Sequence, residues 1–391
     1  MTLADRQRTL TLVTASTGRG ARVISPGVHR GHLFGETLMV RIRHRWLVTS
    51  LALGALGLGI SSCKKDEKKA DPTAPGGAPA GDTAGGGATA EKPAGAPGIG
   101  AGDAIAMLPS TSEFVMGVNI AQLAQTPLWK KFVEPSIAKS RAEMAQKMGD
   151  FKAKCGFDPM DMATAGSIVV GVRNMDSDAV AVVVVKGAPD KTKAIDCVGK
   201  MKDEIAKNGG EVSVDGDVVT LKNPKENVTI VAKYAAPTTV VATIGKTASK
   251  ADLDAALAGT SSLTTSKSFM SYYSKLDTSH SLWGVVNGKA KAFDMMGAMM
   301  GAKAEIIYGS INVTDGVVFD VRMKFASDAE AAQVAKAANA SASMAKGMVQ
   351  EMKIASEGPE VKTVVRLTPQ NLETMGKQFG GMMMGGHGGG M

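Results

Sequence analysis

The stretch EFVMGVNI, residues 113–120, returns in altered form as SLWGVVN at residues 281–287. Each run is largely apolar, carries one glycine and reads as a strand. The order of elements after each run is also alike. After the first, Thr126 and Pro127 signal the start of a long helix with Ile137, Met144, Met148 and Phe151 at helical spacing. GSIVVGVR (166–173) and DAVAVVVVK (178–186) read as strands joined by a turn, the second apolar on both faces and therefore central. A helix from Asp190 to Asn208 turns Ile195, Val198 and Ile205 inward and ends at Gly209. EVSVDGDVVTL then forms a hairpin about Asp215 and Gly216.

After the second run comes a shorter helix through Phe293, Met296 and Met300. EIIYGSINV and VVFDVRMKF are strands joined through Asp315 and Gly316. Val317, Phe319, Val321, Met323 and Phe325 share one face of the latter, and Asp320, Arg322 and Lys324 the other. Ser327 and Glu330 have capping-box spacing for a helix to about Met348, and VVRLTP (364–369) echoes VVTLKNP (218–224).

Strand, helix, strand, strand, helix, strand is the βαββαβ order of ferredoxin-like units. The sequence thus predicts an α+β protein of two tandem ferredoxin-like repeats, residues 103–260 and 261–379. Each repeat has an antiparallel sheet with helices on one face. Strands over 228–235 and 237–244 and a helix starting at Ser249 link them. The competing arrangement is one continuous α+β domain with a shared large sheet.

Upstream, the chain changes character. Of 45 basic and 37 acidic residues, eight arginines and two acids fall in residues 1–62, leaving 37 basic and 35 acidic residues beyond. The net charge of +8 is therefore mostly the leader's. The remainder has four arginines (141, 173, 322 and 366), and its lysines alternate with acids as on a solvated surface, which argues against nucleic-acid binding.

Reading from Met39, Arg41, Arg43 and Arg45 precede an apolar run too short for a comfortable membrane span, ending in Ile60, Ser61, Ser62 and Cys63. This segment resembles the signal peptide of bacterial lipoproteins, whose lipobox is an aliphatic residue, two small residues and cysteine. The resemblance implies that Cys63 receives a diacylglycerol and becomes the mature amino terminus, with palmitate-like chains anchoring the protein in the cell envelope. Lys64 in place of aspartate implies the outer membrane, on its periplasmic side or at the cell surface, rather than retention in the inner membrane. Residues 1–38 read as an over-extended start. Residues 63–102, charged and then rich in Ala, Gly and Pro, read as a disordered tether. The head's AIAMLPSTSEFVMGVNIAQL and CGFDP segments are similar to predicted lipoproteins of Gram-negative bacteria, a likeness that implies no activity.

With Cys63 lipidated, Cys155 and Cys197 remain, and two thiols in an exported protein predict one disulfide. IGKTASK (244–250) lacks the first glycine of a phosphate loop, since Val240 stands there, and Lys246 and Ser249 read as the start of a helix. NMDSD (174–178) lacks the glycine and distal glutamate of a calcium loop and reads as a strand-joining turn. His280 lies near Asp277 and Ser279, but neighbours along an extended segment do not make a triad. In the Gly-rich tail of residues 380–391, Met382, Met383, Met384, His387 and Met391 are suited to Cu(I), with an unstructured tail as the alternative. No catalytic motif is present, and the expectation is a noncatalytic envelope protein that meets a partner or ligand through its head. Metal handling by the tail and an enzyme with a carboxylate-based site are the alternatives.

Overall fold

The computed structural model describes residues 104–143, 145–158, 166–288, 290–342 and 347–375. The leader with Cys63, the tether, Met144 and the Met/His tail lie outside the described residues. Twelve strands form one sheet, every pairing antiparallel, so the protein is α+β with a shared sheet.

The two echoing runs are β1 (Phe114–Asn119) and β8 (Leu282–Asn287), and they pair with each other. From β1 the sheet continues through β2 (Ser167–Arg173), β3 (Val180–Lys186), β7 (Thr239–Gly245), β6 (Val228–Ala236), β5 (Val218–Asn223) and β4 (Glu211–Asp215). From β8 it continues through β9 (Ile306–Val313), β10 (Val317–Lys324), β12 (Glu360–Leu367) and β11 (Glu351–Glu357). The halves meet with matching hydrogen bonds: Asn119 N donates to Ser281 O at 2.9 Å, and Asn287 N donates to Glu113 O at 2.7 Å.

The ferredoxin-like strand order is not the one adopted. Such a unit flanks its first strand with two strands of its own, whereas here β1 lies between β2 and β8. One edge of β1 is taken by the other half, so the first three strands run as a simple meander, and β8, β9 and β10 do the same.

Register explains the junction. Gly117 faces Trp283 and Gly284 faces Met116, and the indole of Trp283 lies over Gly117. A Cβ on Gly117 would collide with the indole of Trp283, which is 5% exposed. On Gly284 it would meet only Val115 O, at 3.2 Å.

One face of the sheet presents Val115, Val169, Val182, Val184, Val241, Trp283, Val285 and Tyr308 to a continuous core. It is covered by α5 (Lys250–Ala258) through Leu253 and Ala256, by α6 (Lys267–Tyr273) through Phe269, and by Ile105 and Leu108. On the opposite face α8 (Asp328–Ala342) packs Ala331, Val334 and Ala335 on Phe325 and Val361, near Met300 of α7 (Asp294–Met300). Strand β10 keeps its predicted alternation, and Ser327 caps α8 by accepting from Glu330 N at 3.2 Å. The helix expected after Thr126 starts at residue 127 and passes through a π turn over Trp129–Val133 into α2 (Glu134–Glu143), and α3 (Ala145–Cys155) follows Met144; the short α1 (Ile120–Gln125) precedes Thr126.

Helix α4 (Lys191–Lys207) is capped by Asp190, whose Oδ1 accepts from Thr192 N and Lys193 N, and closes at Gly209, φ 83°. Tyr234 Oη donates to Pro189 O at 2.9 Å, which places the start of α4 on the same face as α8. Its innermost residues are Cys197 and Met201, with Ile205 packed against them as expected and Ile195 and Val198 half-buried. Helices thus cover both faces, because the segment linking the halves supplies α5 and α6 to the face that the repeat helices leave open.

Cys155 at the end of α3 is bridged to Cys197 in α4, as the cysteine count predicts, and both pack with Phe151 and Met201. Closing a loop with a sequence separation of 42 contributes about 4 kcal/mol by restricting the unfolded chain. Changing both cysteines to alanine is expected to lower the unfolding free energy by about that amount in denaturant titration. At the junction, Gly117→Val is expected to cost about 2 kcal/mol or more by displacing the indole, whereas Gly284→Ala costs less than about 1 kcal/mol. Equal losses in the two variants would contradict the assigned register.

Candidate functional site

Among the described residues, a hydrogen-bonded cluster of charged and tyrosine side chains borders the core on the face of Trp283. It forms where the chain leaves α6 and runs over β9. Tyr272 and Tyr273, adjacent in α6, divide their contacts. Tyr273 meets Trp283 edge-on at 5.2 Å between ring centroids, and Tyr272 meets Tyr308 of β9 at 5.2 Å. Beyond α6, Lys275 places Nζ 5.5 Å from both the Tyr272 and Tyr308 ring centroids.

Glu360 of β12 is the hub. Its Oε2 accepts from Tyr308 Oη at 2.7 Å and from Arg322 Nη1 at 3.3 Å, and its Oε1 accepts from Lys275 Nζ at 3.0 Å. Arg322 also reaches Glu357 at 2.7 Å. Burial alone would raise the Glu360 pKa, but the hydrogen bonds from Tyr308, Lys275 and Arg322, with the charge of Lys275, outweigh it and hold the carboxyl below its ordinary value. Tyr308, 2% exposed, is pushed well above the ordinary phenol value by burial first and then by the carboxylate it donates to. A carboxylate with three donors is a poor proton acceptor near neutrality. Glu360 therefore acts as a tie that holds β9, β10, β12 and the segment after α6 together.

Beside it lies an arrangement that the sequence did not disclose. His280 Nδ1 is 2.8 Å from Ser310 Oγ, and its Nε2 is 3.2 Å from Asp277 Oδ2. With Nε2–H donating to Asp277, Nδ1 accepts the Ser310 hydroxyl, giving a Ser–His–Asp chain. Its serine comes from β9, 30 positions away, and not from the neighbouring Ser279. Ser310 is 6% exposed at mid-strand between β8 and β10, paired with Trp283 and Asp320. The hydroxyl is nearly closed to solvent, and β9 is paired on both edges at this position. The chain braces the loop before β8; Ser281 Oγ likewise accepts from Val313 N at 3.1 Å.

The other residues singled out in the sequence fall elsewhere. Ser249 caps α5 in a capping box with Asp252, so IGKTASK ends a strand and begins a helix. Asn174 adopts φ 56° in the turn after β2, and Asp176 Oδ1 accepts from Lys291 N at 2.9 Å, fixing that turn to the second half. Cys63 and the Met382, Met383, Met384, His387 and Met391 set lie outside the described residues. The Glu360 hub was missed because each member reads alone as a solvated charge or a core tyrosine. The usable signal was the pair Tyr272–Tyr273 followed closely by Lys275. Comparisons of the chain with protein-family models, with curated proteins and with solved structures found no match.

The tyrosines carry a pH signature. Burial raises Tyr234 to about 12, with the charge of Asp190 adding to it, and burial also raises Tyr273. The folded state holds these phenols neutral, so their contribution is complete below the unfolded value of about 10 and is lost as pH climbs through the raised values. Thermal unfolding followed from about pH 9 to 12 is expected to show a steep alkaline loss that Tyr308→Phe makes shallower. An identical slope in that variant would contradict the assignment. Glu360 acts in the opposite sense: its contribution is present above the ordinary carboxylate range and is lost as pH falls through its lowered value.

Proposed function

We propose that the chain is an exported lipoprotein, anchored through Cys63, whose head is a duplicated, noncatalytic binding or structural module of the bacterial cell envelope. The observation that carries this reading is the distribution of the three cysteines. Cys155 and Cys197 are joined in a disulfide, the bond of an oxidising compartment, while Cys63 ends an apolar segment preceded by arginines. Disulfides are rare where thiols are kept reduced, so bridge and lipobox support export independently of each other.

Duplication is supported by the matching pair of hydrogen bonds that joins β1 to β8, Asn119 to Ser281 and Asn287 to Glu113. It is also supported by the meander repeated on either side, β1–β2–β3 and β8–β9–β10. A noncatalytic head is supported by the state of its most reactive groups. Glu360 is tied by three donors, and Ser310 is buried with its hydroxyl hydrogen-bonded to His280.

Expression in a Gram-negative host with an alkynyl fatty acid is the direct test. The wild-type chain is expected to carry label and to sediment with membranes. The Cys63→Ser variant is expected to carry none and to leave the membrane fraction. Label retained in that variant would end the anchor reading.

A further inference from the structure

Beyond Thr126 the chain leaves the sheet from a fixed base. Thr126 Oγ1 accepts from Trp129 N at 3.1 Å, Lys130 N donates to Thr126 O at 3.2 Å, and both Thr126 and Leu128 are buried. The π turn over Trp129–Val133 follows, closed by Glu134 N donating to Trp129 O, and single π turns within helices are frequent at functional positions. In α2 Ile137 is half-buried and every other described side chain is exposed. None of them joins the apolar clusters of the head. Phe132, 39% exposed, is one of two large apolar side chains left exposed among the described residues, the other being Val214 of β4.

The same segment gathers positive charge. Residues 129–155 hold seven basic and three acidic residues, a net of +4, whereas the rest of the chain beyond residue 62 holds 30 basic and 32 acidic residues. Lys130, Lys131 and Phe132 are consecutive and all exposed. Lys131 Nζ lies 5.6 Å from the Phe132 ring centroid and also reaches Glu373. That ion pair is open to solvent on both sides, so Lys131 exchanges Glu373 for another anion at little cost.

Charge and shape together select the partner. A helix exposed round most of its circumference is a convex surface, and its lysines call for anions. An acidic protein would need a recess shaped to the Phe132 ring, whereas a fluid bilayer forms one on contact: anionic headgroups attract the lysines, and the ring enters the boundary between headgroups and acyl chains. We propose that the turn Trp129–Val133 and α2 seat the head on an anionic phospholipid surface, with Phe132 inserted at the headgroup boundary and Lys130 and Lys131 against the phosphates. The choice of a bilayer over an acidic protein rests on the lipid-anchor reading, which puts a membrane within reach of the head. The contact itself uses only residues of the head.

The test uses the mature chain, residues 63–391 with Cys63→Ser, so that neither the leader nor an acyl group contributes. Failure of this contact is then distinct from failure of the anchor, which the fatty-acid label reads. Vesicles of phosphatidylglycerol and phosphatidylcholine in equal parts are compared with pure phosphatidylcholine by co-sedimentation and by tryptophan emission. Without the leader only Trp129 and Trp283 remain, and Trp283 is buried, so a change in emission reports on Trp129 beside the contact. Binding to the anionic vesicles is expected, with a blue shift of Trp129, weakened by salt and much reduced on phosphatidylcholine. Phe132→Ala is expected to weaken it about fivefold, and Lys130→Glu with Lys131→Glu at least about tenfold, with melting temperatures nearly unchanged. Val214→Ala is expected to bind as the parent does. Absence of binding to the anionic vesicles, which is the outcome if the segment meets an acidic protein instead, or undiminished binding in the Phe132 or lysine variants, would overturn the proposal.

Discussion

Everything in this fold hangs on the pairing of β1 with β8. Neither half owns a closed sheet, since β1 and β8 would each be a bare edge without the other, and an exposed edge invites promiscuous pairing. Joining them removes both edges at once and sets the register of the remaining ten strands, because each half then extends outward by antiparallel neighbours. Glycine makes the junction possible. Trp283 can lie flat over β1 only because Gly117 has no Cβ, and its ring then becomes part of the core roofed by α5 and α6.

From that junction the two faces acquire different characters. The face of Trp283 is apolar at its centre and becomes polar over the second half, where Tyr308, Arg322 and Glu360 share one hydrogen-bonded cluster. The opposite face carries the helices of each half, locked in the first by the Cys155–Cys197 bridge and seated in the second by Val334 and Ala335 against Phe325 and Val361. Tyrosine suits the border between the two regimes, because its ring belongs to the core and its hydroxyl to the charges. Tyr308 uses both ends of this character, and so the Glu360 carboxylate is fixed by groups rooted in the core.

The strands were legible where alternation or saturation with valine was strong, as in β3 and β10, and the cysteine bridge followed from counting thiols. The sheet order was not legible, because an element order does not say which strand shares an edge with which. The run EFVMGVNI reads as an amphipathic strand whether its neighbour is β8 or another strand of its own half. Strand β11 escaped notice because its sequence EMKIASE lies at the sheet edge, largely solvated and with little apolar alternation. Helix α6 escaped for the opposite reason, being seven residues long and stabilised by burial of Phe269 and not by periodicity. The Ser310–His280–Asp277 chain could not be read at all, since its serine reaches His280 only through the pairing of β8 with β9.

If the junction is the keystone, the halves have no independent stability, and native-state hydrogen exchange measured residue by residue tests this most directly. The amides of Gly117, Asn119 and Val285 should exchange only through the global unfolding that also exposes Val183 in β3 and Val321 in β10, with all of them converging on one free energy as denaturant is added. Exchange at the β1–β8 junction through a lower-energy opening that leaves β3 and β10 protected would contradict the account, because the two halves would then be separately folding units.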